Sequence, residues 1–252
     1  MDVTRRSPAA GRGAADADYA AVFDRLVEQG RSAVLSGAHY RDTPPVDGGR
    51  WGLSVVFLPD SDATDRLAAL TAEAMDIAGG EHWPTGAPHA VHFTVRAIQV
   101  HRSVVPPDDP LEARCAAALR RAAAGARPAW LRLAGLTLTP SGVMVCAVPE
   151  DGAADAFAGR LGDELGPDGW FEAQYHRDIW YATLLHFTSD IRDRNGLVDW
   201  VGARRHLDLG LTRADEAELL RFHFDGRQPV RHTVARAPLG LVVVPEATAP
   251  LR

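Results

Sequence analysis

A four-residue string occurs twice in this chain, His92-Phe93-Thr94-Val95 and His186-Phe187-Thr188-Ser189, and each copy closes a similar stretch. Val55-Val56-Phe57-Leu58-Pro59-Asp60, a helical pattern and then His92-Phe93-Thr94 is echoed by Val145-Cys146-Ala147-Val148-Pro149-Glu150, a second helical pattern and then His186-Phe187-Thr188. The matching positions are separated by nearly the same interval. Repeats constrain architecture before any local pattern does, and two strand-helix-strand units predict pseudo-twofold lobes. The alternation around each string has the period of a strand, on which residues two apart share a face. His92 and Thr94 are therefore expected opposite Val91, Phe93 and Val95, and His186 and Thr188 opposite Leu185 and Phe187. Each strand buries one face and offers an imidazole and a hydroxyl on the other, toward a common cleft.

The rest of the chain frames these strings. Residues 1–17, rich in Ala, Gly, Arg and Asp without periodicity, read as a flexible tail. Residues 18–50 form a helical addition, in which Val22, Phe23, Leu26 and Val27 have helical spacing and Gly30 is placed to stop the helix. The duplicated domain occupies 51–246. Gly52 to Leu58 reads as a buried strand, and Ser61 or Asp62 caps a helix with Leu67, Leu70, Ala74 and Ile77 on its apolar face. Leu111, Cys115, Ala118, Leu119 and Ala122 mark another helix, with Asp108-Asp109 before it read as a solvated loop. Trp130 to Thr137 and Val143 to Val148 form a hairpin about Pro140-Ser141-Gly142, and a helix carries Phe157, Leu161 and Leu165. Past the second string come a short helix near Leu197 to Val201 and strands near Leu219 to Phe224, Val230 to Val234 and Leu239 to Val244. The fold class is α/β (α+β), with antiparallel-rich sheets flanked by helices around a central cleft.

At 252 residues with 46 % hydrophobic content the chain supports a full core. A net charge of −6 argues against a bulk electrostatic grip on long duplex nucleic acid and favours small or short anionic ligands. All 27 basic residues are arginines, which removes Schiff-base chemistry and a P-loop, since both need a lysine amine. Cys115 and Cys146 form no CxxC and read as small buried hydrophobes. No segment has the ~20 apolar residues of a membrane span, and the Arg-bearing start lacks the apolar core of a signal peptide. The chain reads as cytoplasmic, with no membrane partner, and a monomer is expected.

Two imidazoles facing each other supply a general base and a general acid in one step, because a value near 6.5 keeps both protonation states accessible. Thr94 and Thr188, with nearby backbone N–H groups, suit an oxyanion. The combination fits in-line phosphoryl transfer with no metal and no cofactor. Arg96, two residues beyond Thr94, is a candidate for a bidentate phosphate contact; the same position on the second strand is Asp190. Trp180 and Tyr181 are candidates for stacking on a base at the cleft mouth, with core packing as the alternative. His39 and Tyr40, in the N-terminal addition, read as loop decoration, with a cap over the cleft as the alternative. His89 and His92 have H-x-x-H spacing but point to opposite faces of a strand, so zinc chelation is not expected. His101, His176, His206, His223 and His232 have no partner at a diagnostic spacing.

Two H-x-T strings on strands of a duplicated frame resemble the 2H phosphoesterase superfamily, which includes LigT-type 2'-5' RNA ligases and RNA 2',3'-cyclic phosphodiesterases. The strand closed by Leu58-Pro59-Asp60, the hairpin from Leu136 to Val148 and the aromatics before the second string share the resemblance, which spans about Gly52 to Val244. It implies that His92 and His186 are the catalytic pair and that Thr94 and Thr188 bind phosphate. It implies as substrate a nucleotide or short RNA with a cyclic phosphate or 2'-5' linkage. Ser189 departs from the family's usual hydrophobe, and Tyr19 to Arg50 looks like an addition. The alternatives from the sequence are a non-catalytic RNA- or nucleotide-binding module and a 2H-fold enzyme acting on a small non-RNA phosphate metabolite.

Overall fold

The computed structural model of the protein describes residues 8–172 and 179–240. A long helix, α1 (Pro8–Ser36), precedes two four-stranded antiparallel sheets. The first has the order β2-β1-β7-β8 and is built from β1 (Leu53–Phe57), β2 (Phe93–Gln99), β7 (Glu216–Phe224) and β8 (Pro229–Pro238). The second, in the order β5-β4-β3-β6, contains β3 (Ala129–Thr139), β4 (Gly142–Pro149), β5 (Trp180–His186) and β6 (Asp208–Ala214). Helices α2 (Ser61–Ala78), α3 (Pro110–Ala123), α4 (Ala153–Leu165) and α5 (Arg194–Ala203) and a 3₁₀ turn over Gly166–Glu172 fill the connections.

The two repeats are β1-α2-β2 and β4-α4-β5, and each His-bearing strand forms the edge of its sheet, paired with the strand that opens its repeat. Helix α2 packs on β5 and β6 of the other sheet, whereas α4 lies against β3 and β4 of its own sheet and also reaches β2. One continuous core results, holding Phe57, Phe93, Phe157 and Phe187 fully buried. Both phenylalanines of the repeated strings thus face inward, and the same alternation turns their neighbours outward.

Local chemistry explains most element boundaries. Asp60, one residue earlier than the expected caps, accepts from Ala63 N at 2.9 Å and begins α2, while its other oxygen accepts from Arg213 N at 2.9 Å and ties the turn to β6. Asp109 is buried rather than solvated, because its carboxylate caps α3 through Leu111 N (2.8 Å) and pairs with Arg102. Strand β6 escapes sequence reading: Leu211 is exposed, Gly210 adopts φ +79°, and the edge strand lacks apolar alternation. Of the strand expected over Leu239 to Val244, residues 241–244 lie outside the described residues, as does His176.

Helix α1 begins at Pro8, inside the stretch expected to be a tail, and runs through Gly30 to end at Gly37, whose φ of +76° leaves the helical region. Gly30 does not stop the helix; it lets α1 touch β3. A Cβ there would lie 2.4 Å from Leu138 C and 2.5 Å from Leu138 O. Elsewhere in a helix, Gly→Ala stabilises by about 0.5–1 kcal/mol. Here Gly30→Ala is expected to destabilise by about 1–3 kcal/mol, the scale of overpacking, seen as a lower urea midpoint; a raised midpoint would contradict this docking.

Candidate active site

Register shifts in both repeats set the direction of the side chains: two between β1 and β2, at Val95 and Ile98, and one between β4 and β5. Val55 pairs with Arg96 and Val56 with Thr94, leaving Val95 as an extra residue on β2. In the other sheet Val143 pairs with Leu185 and Met144 with Thr183, leaving Leu184 extra on β5. An extra residue shifts the alternation by one position and re-aims the side chains beyond it. On the first strand His92 and Thr94 share a face with Ala97 and Gln99; on the second Tyr181 and Thr183 share a face with His186. All seven line one cavity of about 240 Å³, together with Arg50, Trp51, Ser54 and Phe222.

Both imidazoles are oriented through Nδ1. His92 Nδ1 lies 2.7 Å from Ala90 O. A carbonyl only accepts, so Nδ1 donates and the neutral ring carries its lone pair on Nε2. His186 Nδ1 lies 2.9 Å from Asp42 Oδ2, with both side chains buried. Asp42 is fixed in turn: its backbone N–H donates to Phe187 O at 2.7 Å, and Arg50 Nη1 reaches its two carboxylate oxygens at 3.2 and 3.3 Å. The edge of the Trp51 ring system meets His186 with centroids 4.8 Å apart, and His186 exchanges two backbone hydrogen bonds with Trp83. Burial holds the His186 imidazole below its ordinary value; Asp42 opposes that shift and Arg50 adds to it.

Trp51 is the one non-glycine with positive φ among the described residues, at 72°. Such a conformation is costly for a bulky side chain and concentrates at functional sites. Its ring packs on Trp83, His186 and Phe222, and its buried indole N–H finds no acceptor among the described residues.

Of the residues singled out from sequence, the structure brings His92, Thr94, Tyr181 and His186 together and places three others elsewhere. Strand β5 ends at His186, so Thr188 does not share its face; the Thr188 hydroxyl donates to Glu81 O and its N–H to His82 Nδ1. The bulge at Val95 sends Arg96 out of phase with Thr94, and its guanidinium donates to Gly169 O at 2.9 Å. Trp180 is core: it stacks on Phe57 and donates through Nε1 to Asp155 at 2.8 Å. Ser189 contributes its carbonyl, 2.9 Å from His39 Nε2. Sequence reasoning missed Asp42, Arg50, Trp51 and Thr183. No periodicity marks Asp42; the only signal is the run of polar and aromatic residues His39-Tyr40-Arg41-Asp42 in an otherwise plain loop. Among the described residues no group of three or more His, Cys, Asp or Glu is placed to hold a metal ion, and no helix is long and apolar enough to cross a membrane.

Two antiparallel four-stranded sheets flanked by helices, built from duplicated units, are the fold that this chain shares with LigT and similar solved structures. TT0787 of Thermus thermophilus has the same fold, with a TM-score of 0.55 and 15 % identity, over 75 % of this chain and 97 % of that one. Escherichia coli LigT complexed with 3'-AMP is similar at a TM-score of 0.56 and 11 % identity, over 76 % and 99 % of the two chains. A crystal structure described as a phosphoesterase matches at 0.52 and 13 %, over 75 % and 98 %. No family model matches the sequence, and a comparison with curated protein sequences finds no match.

The buried histidines dictate how stability responds to acid. His82 and His186 are both held below the ordinary 6.5 by burial. The unfolded chain therefore takes up protons first as pH falls, and stability that is complete above about 6.5 is lost as pH drops toward the folded-state values. Tm is expected to be lower at pH 5.5 than at pH 7.5; a Tm unchanged or raised at pH 5.5 would contradict the burial of these rings.

Proposed function

We propose that the protein is a metal-independent phosphoesterase that hydrolyses, or reversibly forms, a cyclic phosphate or 2'-5' phosphodiester of a nucleotide or RNA end. One observation carries the reading: two imidazoles from equivalent strands line one cavity, each with Nδ1 engaged by an acceptor, so that each turns the same nitrogen, Nε2, to proton transfer. In hydrolysis, one neutral ring takes a proton from water as its oxygen attacks phosphorus. The other, protonated, gives its proton to the leaving ribose oxygen as the P–O bond breaks, and the two rings exchange states for the reverse reaction. Thr94 Oγ1 and the Arg50 guanidinium are the donors for the charge on the equatorial oxygens. Tyr181 supplies an aromatic face for a base. Support from outside the chain is the fold shared with LigT, a protein seen with 3'-AMP.

The test is product analysis on nucleoside 2',3'-cyclic phosphates, cyclic-phosphate-ended RNA and 2'-5' dinucleotides. His92→Ala and His186→Ala are each expected to lower kcat by about 10²–10⁴, the range for a lost general acid or base, and the double variant is expected to be hardly worse than either single one. kcat/KM is expected to be bell-shaped in pH, with limbs belonging to the pair. Thr94→Ala should lower kcat, whereas Thr188→Ala, whose hydroxyl is spent on Glu81 O, should leave turnover near that of the parent. Activity should survive EDTA. Folded single His variants as active as the parent would sink the mechanism, and nucleotide binding without turnover would shift weight to the binding-module reading.

A further inference from the structure

We propose that Asp42 is a positioning residue for His186, so that the segment between α1 and β1 completes the site. The proposal rests on the reading of His186 as one of the two proton-transfer groups. Asp42 lies far from His186 in sequence, yet its carboxylate is 2.9 Å from Nδ1 and the two side chains are almost wholly buried together. Two backbone hydrogen bonds pin the neighbourhood: Asp42 N to Phe187 O at 2.7 Å and Tyr40 N to Pro140 O, also at 2.7 Å. The loop is thereby stitched to the end of β5 and to the neighbouring β3–β4 turn, where Gly142 pairs with His186.

The chemistry of the pair gives Asp42 two tasks. An ionised carboxylate only accepts, so it selects the Nδ1–H tautomer and leaves the lone pair of the neutral ring on Nε2. It also offsets the burial that disfavours the imidazolium. Whether His186 acts as acid or as base, every turnover passes through its protonated form, so a site without Asp42 has that form strongly disfavoured. His92 differs, because its Nδ1 partner is the Ala90 carbonyl, a dipole rather than a charge. The groups facing His186 are Asp42 and Arg50 from the N-terminal segment, His92 beside β2 and Tyr181 on β5, all at the cavity or its edge; His39 and His82 pack against Phe187 beyond it. Arg50 bonds to Asp42 and lies over the Trp51 ring at 5.6 Å, which holds the carboxylate in place.

The experiment is ¹⁵N NMR of the His186 ring in the intact chain, without substrate, beside kinetics on the best substrate found. In the parent at neutral pH, His186 is expected as the Nδ1–H tautomer with a downfield Nδ1 proton; an Nε2–H tautomer overturns the proposal, and this reading requires no variant to fold. In Asp42→Asn the His186 titration is expected to move down by about 1–3 units, the size of a lost opposite charge. kcat should fall by about 10²–10⁴-fold, up to the scale for replacing the carboxylate that orients a proton-transferring histidine, with KM little changed. Asp42→Glu should restore part of both. A folded Asp42→Asn with unchanged tautomer, titration and kcat overturns the assignment. Absence of turnover in the parent overturns the phosphoesterase reading instead, and the NMR result then judges Asp42 by itself.

Discussion

Burial of Phe93 and Phe187 in one continuous core is the constraint on which the site depends. Each is fully excluded from water, at a gain of about 1.5–3 kcal/mol apiece. A strand that commits a phenylalanine to the core has no choice about its neighbours. Phe93 opens β2, so His92 before it turns to the opposite face, and on β5 the extra residue Leu184 brings His186 to the face of Tyr181 and Thr183. Because each of these strands is the edge of its own sheet and β2 lies beside β5, the two outward faces meet across a cleft. Packing therefore delivers the imidazoles, and the chemistry inherits their placement.

The bulges at Val95 and Leu184 refine that placement. Without the second, Thr183 and His186 would lie on opposite faces of β5; with it, the wall gains a hydroxyl and an aromatic, Thr183 and Tyr181, beside the imidazole. The first bulge removes a cation: Arg96 leaves the cleft face and braces the 3₁₀ turn instead. The guanidinium in the cavity wall is that of Arg50, from a loop.

The same physics decides how much of this was legible in the sequence. A period of two and a repeated context were enough for the duplicated α+β frame, the strand-helix-strand units and the placement of His92, Thr94 and His186 along one cavity. Bulges are invisible to a period-two reading, because each depends on how a partner strand registers; this is why Arg96 was expected in the cleft and Thr183 was not noticed. Thr188 was expected beside His186 because nothing local showed that β5 stops at His186. Asp42 was illegible for another reason. Its role comes from a contact between residues remote in sequence, formed only when the loop after α1 folds back on Phe187. Gly30 shows a third kind of miss, since a helix-breaking residue and a close-contact residue look alike until the neighbouring strand is in view.

The central claim is that the two Nε2 atoms converge on one phosphoryl group in the cavity between the sheets. A crystal structure with inorganic phosphate or a nucleoside 2'-phosphate tests it most directly. The account places the phosphorus between His92 and His186, with Thr94 Oγ1 and Arg50 on its oxygens. A phosphate bound at saturating concentration elsewhere on the molecule, or in the cavity but in contact with neither imidazole, would contradict it.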